Sequence, residues 1–213
     1  MPRVSGRRAG LRYDAACGVA TEALIFLGDL DPDAVGPNVR HATHYEPTPV
    51  GEVGRLLALV PLDARRATFV DVGAGMGRAL LEAAAYQPFR SVVGIEISPA
   101  LVAIARENLE RYAGPPLRCR DLRIVRADAA SAKLPCGDLV AYLYNPFDAS
   151  VLGPLVDRLA ARRDGATAIV YHTPVERETI EAHPAFQLVD ELAFGAVFLA
   201  PGRGTSQNPF RAE

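Results

Sequence analysis

The residues best equipped for chemistry lie between Asp71 and Glu96. Thr68-Phe-Val-Asp-Val72 is an apolar, β-branched run suited to a strand buried on both faces, and it leads into Gly73-Ala-Gly75-Met-Gly77-Arg78. Glycine at alternate positions lets the backbone turn tightly and approach a ligand where a Cβ would collide. The helix that follows aims its free N–H groups back into the turn. A second strand, Val92-Val-Gly-Ile-Glu-Ile-Ser98, carries Glu96 at its end, where one ionised carboxylate can accept both hydroxyls of a ribose diol. Strand, glycine loop, helix, strand and acid in this order predict a site for a nucleoside cofactor.

Spacing separates the possible cofactors. The dinucleotide fingerprint G-x-G-x-x-G seats a pyrophosphate on a helix N-terminus. The loop here is one residue shorter and follows Asp71, whose carboxylate repels a pyrophosphate and attracts an ammonium. S-adenosyl-L-methionine (SAM) has no phosphate, carries an amino group and a sulfonium, and presents a ribose and an adenine. On these residues the chain resembles the class I, seven-strand SAM-dependent methyltransferases. Asp71, Gly73, Ala74, Gly75 and Gly77, with Arg78 after them, look like the first motif of that family, and Gly94-Ile-Glu96 with Ile97 like the second. Arg123-Ile-Val-Arg-Ala-Asp128-Ala129 reads as a third strand, ending in the acid that caps the adenine amino group in that family. Asp138-Leu-Val-Ala-Tyr-Leu-Tyr-Asn145-Pro146-Phe147 reads as the fourth strand with the active-site mouth. The resemblance implies SAM as cofactor and an α/β fold: a three-layer, doubly wound, seven-strand sheet, mostly parallel with an antiparallel last strand. An N-terminal helical lid over residues 1–60 would precede a SAM-binding domain over 61–213.

Within that lid, His44-Tyr45-Glu-Pro-Thr48-Pro49 resembles the Tyr-x-Pro-Thr-Pro segment of small lysine methyltransferases that act on an ATP synthase subunit, and more distantly a class of histone methyltransferases. The likeness puts Tyr45 and Thr48 beside the methionine end of SAM. Asn145-Pro146-Phe147 has two family readings. N6-adenine and glutamine methyltransferases carry Asn or Asp, Pro, Pro and an aromatic there, holding the attacking NH₂ with the amide and a backbone carbonyl; this chain lacks the second proline. The histone enzymes carry Asn-Asn-Phe, matched at Asn145 and Phe147 and not at Pro146. Both favour an amine acceptor, on a protein lysine or a small molecule, and leave an oxygen acceptor open.

The chemistry asks little of side chains, because the sulfonium is an activated methyl donor and the protein must align a nucleophile and exclude water. A base is needed only for an acceptor that arrives protonated. His172, ending the fifth strand, and His44 in the lid are nearest to that place, while His41 and His183 receive no role. Cys17, Cys119 and Cys136 are odd in number and lack C-x-x-C spacing, so neither a disulfide framework nor a metal site is indicated and a reduced cytoplasm is expected.

The net charge of −2 and pI near 6.1 announce no basic surface, which disfavours a nucleic-acid partner. No apolar run is long enough to span a bilayer, and Ala15 to Leu27 is broken by Glu22. Arg3, Arg7, Arg8 and Arg12 without an acid read as a solvated tail. The spacing predicts a helix over 14–27, a loop over 28–47, and a helix capped by Thr48 with Pro49 as its first residue. A helix follows Ser98-Pro99, another spans about 150–162, a strand 166–171, a short helix 175–182, and two antiparallel strands 186–192 and 193–199. Three alternatives remain open at this point: a nicotinamide dehydrogenase, a noncatalytic SAM-binding regulator and a nucleic-acid methyltransferase.

Overall fold

A computed structural model describes residues 2–26 and 44–202. In chain order its elements are α1 (Pro2–Cys17), α2 (Glu52–Leu57), β1 (Thr68–Val72), α3 (Arg78–Tyr86), β2 (Ser91–Glu96), α4 (Pro99–Arg111), β3 (Leu122–Arg126), β4 (Leu139–Tyr144), α5 (Ala149–Ala160), β5 (Thr167–His172), α6 (Arg177–Glu181), β6 (Gln187–Leu192) and β7 (Gly195–Ala200). They form one seven-stranded sheet in the order β3-β2-β1-β4-β5-β7-β6. β7 runs antiparallel to both β5 and β6, and the other neighbouring strands are parallel. The strand order reverses between β1 and β4, which opens a crevice at the carboxyl ends of those strands.

Central strands buried on both faces need a helix layer on each side. Val53, Leu56 and Leu57 of α2, Leu80 and Ala83 of α3 and Val102 of α4 pack on Phe69, Tyr142 and Val170 of the sheet. On the opposite face Leu152, Leu155, Val156 and Leu159 of α5 and Ile180 of α6 cover Val70, Val72, Leu143 and Ile169. Each such leucine, fully buried, contributes about 1.5–3 kcal/mol. The three layers and the antiparallel finish agree with the predicted sheet.

The N-terminal part corrects the sequence reading in three places. Residues 2–17 form α1, where a solvated tail was expected up to Arg12 and a helix only from Asp14. Gly18, with φ of 69°, ends that helix, and residues 18–26 run on without one, so of the helix predicted over 14–27 only 14–17 are helical, as the end of α1, and 18–26 are not. Leu27 and the loop predicted over 28–43 lie outside the described residues. Thr48 does not cap α2. That helix begins at Glu52 behind Gly51, while the Thr48 hydroxyl is buried against Tyr142, Oγ1 to OH 3.0 Å.

Candidate functional site

A cavity occupies the crevice, walled by the carboxyl ends of β1, β2 and β4, by the turn after β3 and by residues 44–48. The glycine loop is fastened to β2: Gly73 N and Ala74 N both donate to Ile95 O, at 2.9 and 3.0 Å. Glu96 reaches back and accepts from Gly75 N at 2.9 Å and from Ser98 N at 2.9 Å. Gly73 and Gly75 have φ of 83° and 53°, left-handed values that glycine adopts without strain. A Cβ on Gly73 would stand 2.9 Å from Pro146 Cβ, and one on Gly75 would fall 2.1 Å from Tyr45 Cε2. Gly75 thus leaves room for the Tyr45 ring.

Four carboxylic acids line the cavity, Glu46, Asp71, Glu96 and Asp128, against one arginine, Arg78. Asp71 is 3% exposed, and among the described residues none donates a hydrogen bond to it. Burial, and secondarily the Glu96 charge, pushes its pKa up to about 8. Burial also raises Glu96, opposed by the N–H groups of Ser98 and Gly75. Asp128 caps its own turn, its Oδ1 accepting from Ala130 N at 2.9 Å. Arg78 does not balance these acids, because it is already paired outside the cavity. Its Nη1 lies 2.9 Å from Glu22 Oε2 and its Nη2 3.4 Å from Asp14 Oδ1, and Nε donates to Thr21 Oγ1 at 2.7 Å.

Those partners explain how the N-terminal residues reach the site. Gly10 of α1 lets the Glu22 carboxylate pass where any Cβ would stand 1.6 Å from Oε2. Asp14 also accepts from Thr21 N and Glu22 N, each at 2.7 Å. Tyr45 OH donates to Thr21 O at 2.8 Å, and Asn108 Nδ2 bridges Ala20 O and Met76 O at 3.0 and 2.9 Å. The segment before β1 is therefore bonded to the glycine loop and to the first residue of α3.

At the other end of the cavity, Tyr144, Pro146 and Phe147 supply the wall, with His44 and Glu46 at the mouth. His44 Nε2 lies 3.5 Å from Glu46 Oε2. Asn145, with φ of 40°, accepts from Tyr171 OH at 3.1 Å and does not line the cavity. His172 is 2% exposed and engaged at both nitrogens. Its Nε2 sits 2.6 Å from Glu52 Oε2, and since a carboxylate only accepts, that nitrogen carries the proton and Nδ1 accepts from the Thr173 hydroxyl at 2.9 Å. Burial lowers its pKa despite Glu52. Its ring meets Tyr144 edge-on, with centroids 4.4 Å apart, so it stands behind the wall. His183 lies 3.5 Å from Asp157, and His41 is outside the described residues.

Of the residues singled out in the sequence, the cavity gathers Tyr45, Thr48, Asp71, Gly73, Ala74, Arg78, Glu96, Ile97, Asp128, Ala129, Pro146 and Phe147, and leaves Gly75, Gly77 and Asn145 outside its lining. It adds Tyr142, Tyr144 and Glu46. Tyr142 and Tyr144 alternate at the end of β4, a legible sign that one face of this strand carries aromatics to the site. Among the described residues no group of His, Cys, Asp or Glu could hold a metal ion, and no helix is long and apolar enough to cross a membrane.

Residues 65–140 match the model of a family described as putative methyltransferase. The chain is 38% identical over 79 residues to the cobalt-precorrin-6B C(15)-methyltransferase (decarboxylating) of Salmonella typhimurium, a match covering 37% of this chain and 38% of that protein. It is 38% identical over 71 residues to the trans-aconitate 2-methyltransferase of Methylobacterium radiotolerans, covering 33% of this chain and 27% of that one. The chain thus spans well under half the length of the curated relatives it matches. Among solved structures, the putative methyltransferase yhhF from Escherichia coli shares the fold with a TM-score of 0.55 and 20% identity, over 73% of this chain and 89% of that one. This is a class I methyltransferase fold. The family match runs from just before β1 into β4, so in this methyltransferase fold it takes in the glycine loop, Glu96 and Asp128 together.

Proposed function

We propose that this chain binds SAM and transfers its methyl group to an amine, on a protein lysine or a small molecule. The observation that carries the reading is the unbalanced acidity of the cavity: four carboxyl groups face it, and its one arginine is already held by Asp14 and Glu22. Such a cavity disfavours phosphates and favours a ligand with positive charge and many hydroxyl or amino donors. In this reading Asp71, buried and without a donor of its own, receives the ammonium of the methionine end, near Tyr45 and Thr48. Glu96 receives the ribose hydroxyls on the lone pairs that Gly75 and Ser98 leave free. Asp128, Ala129 and Ile97 border the adenine. Residues 1–60 serve as the lid.

Bound there, SAM supplies an activated methyl group on sulfur. The chain's own part is to present the acceptor and keep water away. Tyr144, Pro146 and Phe147 form an apolar wall that excludes water. Asn145, fixed by Tyr171, shapes the turn that sets this wall. Glu46 at the mouth attracts a cationic amine, and its neighbour His44 is the side chain placed to take up a proton and pass it to solvent. His172, satisfied at both nitrogens, holds Tyr144 and takes no proton.

Two measurements test this. Calorimetry with S-adenosylhomocysteine should show binding to the parent protein and a roughly tenfold to hundredfold loss in Glu96→Ala, the value of about one charge-assisted hydrogen bond. Incubating cell extract with methyl-labelled SAM and the protein should put label on protein lysines or on small-molecule amines. No binding of the nucleoside would refute the cofactor assignment, and label confined to nucleic acid or to oxygen would refute the acceptor.

A further inference from the structure

The turn that carries Asp128 and Ala129 follows β3 and reaches β4 through residues 127–138, which hold neither helix nor strand. Chain without a ladder must satisfy its carbonyls elsewhere. Three arginines take them. Arg158, in the last turn of α5, donates through Nη1 to Ala129 O at 2.9 Å and Ala130 O at 2.7 Å, and through Nη2 to Ala132 O. Arg162 donates to Pro135 O and Gly137 O, and Arg90 Nη2 to Cys136 O at 2.6 Å. Arg158 has no carboxylate within ion-pair distance among the described residues, so its fork serves backbone carbonyls alone.

At its ends the connection is held by Ala127 N on Glu96 O at 3.0 Å and by Ala132, buried in the α5 core with Leu134 against it. Ala127, Ala129 and Ala130 are only half-buried against the α5 core, and a methyl group contributes under about 1 kcal/mol of burial. From inside, Asp128 gathers N–H groups, with Oδ1 on Ala130 N and its carbonyl on Ser131 N and Ala132 N at 3.1 and 2.7 Å. From outside, Arg158 gathers the carbonyls. The face left over, Ala127, Asp128 and Ala129, is the one that lines the cavity.

We infer that Arg158 is a positioning residue for the adenine end of the cavity: gripping three carbonyls from behind, it fixes where Asp128 and Ala129 stand against the cofactor's base. The inference rests on the SAM reading. Arg158 does not line the cavity and acts only through the turn. Arg162 grips the same connection farther along, beyond the lining residues, and supplies the internal control.

The experiment compares Arg158→Met and Arg162→Met with the parent by calorimetry, using S-adenosylhomocysteine and adenosine as the two probes, together with thermal melting. Arg158→Met should weaken both probes by the same factor, about tenfold, because the defect lies at the base they share. Arg162→Met should lower the melting temperature while leaving both affinities within about twofold of the parent, the scatter of near-neutral changes. Parent-like binding in Arg158→Met overturns the inference, and so does equal weakening in both variants, which would mark a general loss of stability. If Arg158→Met does not fold, Arg158→Lys takes its place. A lysine is a single point donor that cannot span three carbonyls, so the same pattern should appear in smaller degree, and the same two results overturn it. A parent protein that binds neither probe removes the SAM reading itself, whereas binding that ignores Arg158 removes only this inference.

Discussion

Cofactor binding should release a proton, and Asp71 is its source. The carboxyl is buried at the end of β1, opposite Gly94 on one neighbouring strand and Tyr142 on the other. Burial, with the Glu96 charge behind it, holds the pKa at about 8, so at neutral pH the ligand-free protein keeps this group protonated. An ammonium placed against it favours the ionised form, and binding below pH 8 must then expel the proton. Affinity for S-adenosylhomocysteine should therefore rise by nearly tenfold per pH unit from pH 6 and flatten near pH 8, about fiftyfold over that range. Calorimetry at pH 7 in two buffers of different ionisation enthalpy should report release of about one proton. Asp71→Asn should bind more weakly at pH 8 and lose most of this slope, any remainder belonging to Glu96. The sign for stability is opposite. A carboxyl whose folded pKa lies above its unfolded value makes the ligand-free protein lose stability as pH rises between the two, and Asp71→Asn should not show that loss. Affinity independent of pH between 6 and 8, with no proton released, would refute the reasoning.

Arg78→Met strands the half-buried Asp14 and Glu22 carboxylates, and should cost about 1–3 kcal/mol in denaturant unfolding; no measurable loss would mean water replaces the guanidinium. Gly75→Ala drives a Cβ into the Tyr45 ring at a left-handed φ of 53° and should weaken S-adenosylhomocysteine binding in calorimetry; parent-like affinity would mean that the ring moves aside without cost. Asn145→Ala should leave nucleoside affinity unchanged and slow labelling of the acceptor by on the order of a hundredfold, since about 1 Å of misplacement costs that much. Asn145→Gly relieves the left-handed φ of 40° and should recover stability without recovering rate; equal rates in parent and Asn145→Ala would take the residue out of the chemistry.

The sheet was legible because its signals are local. Thr68 to Val72, interrupted only by Asp71, Val92 to Ile95 and Leu139 to Leu143 are buried on both faces and read as largely apolar runs, and Ser98-Pro99 caps α4 as its spacing predicts, the Ser98 side chain accepting from Leu101 N. Asp71, Glu96 and Asp128 were legible for the same reason: each stands at or just beyond the carboxyl end of a strand that its own neighbours define. The last two strands, joined by a short turn, could only pair antiparallel.

What escaped is what depends on distant partners. A continuous helical reading of Asp14 to Leu27 needed Gly18 to be tolerated, whereas Gly18 ends α1 and frees Thr21 and Glu22 to meet Arg78, whose nearest acids lie 64 and 56 positions away in the chain. Arg78 follows the glycine loop, so the family resemblance assigned it to the cofactor; only folding shows two carboxylates already on its guanidinium, while it still lines the cavity. Thr48 before Pro49 has the composition of a helix cap, yet its hydroxyl finds Tyr142, 94 residues on. In each case a polar side chain with a sound local use is taken by a buried partner that local pattern cannot name, because burying a polar group unpaired costs more than a cap returns. The same rule gives the site its chemistry. Arg78, spent on the N-terminal segment, leaves Asp71 as the one buried acid of the cavity without a donor among the described residues, the place where the proposed reading puts the cofactor's ammonium.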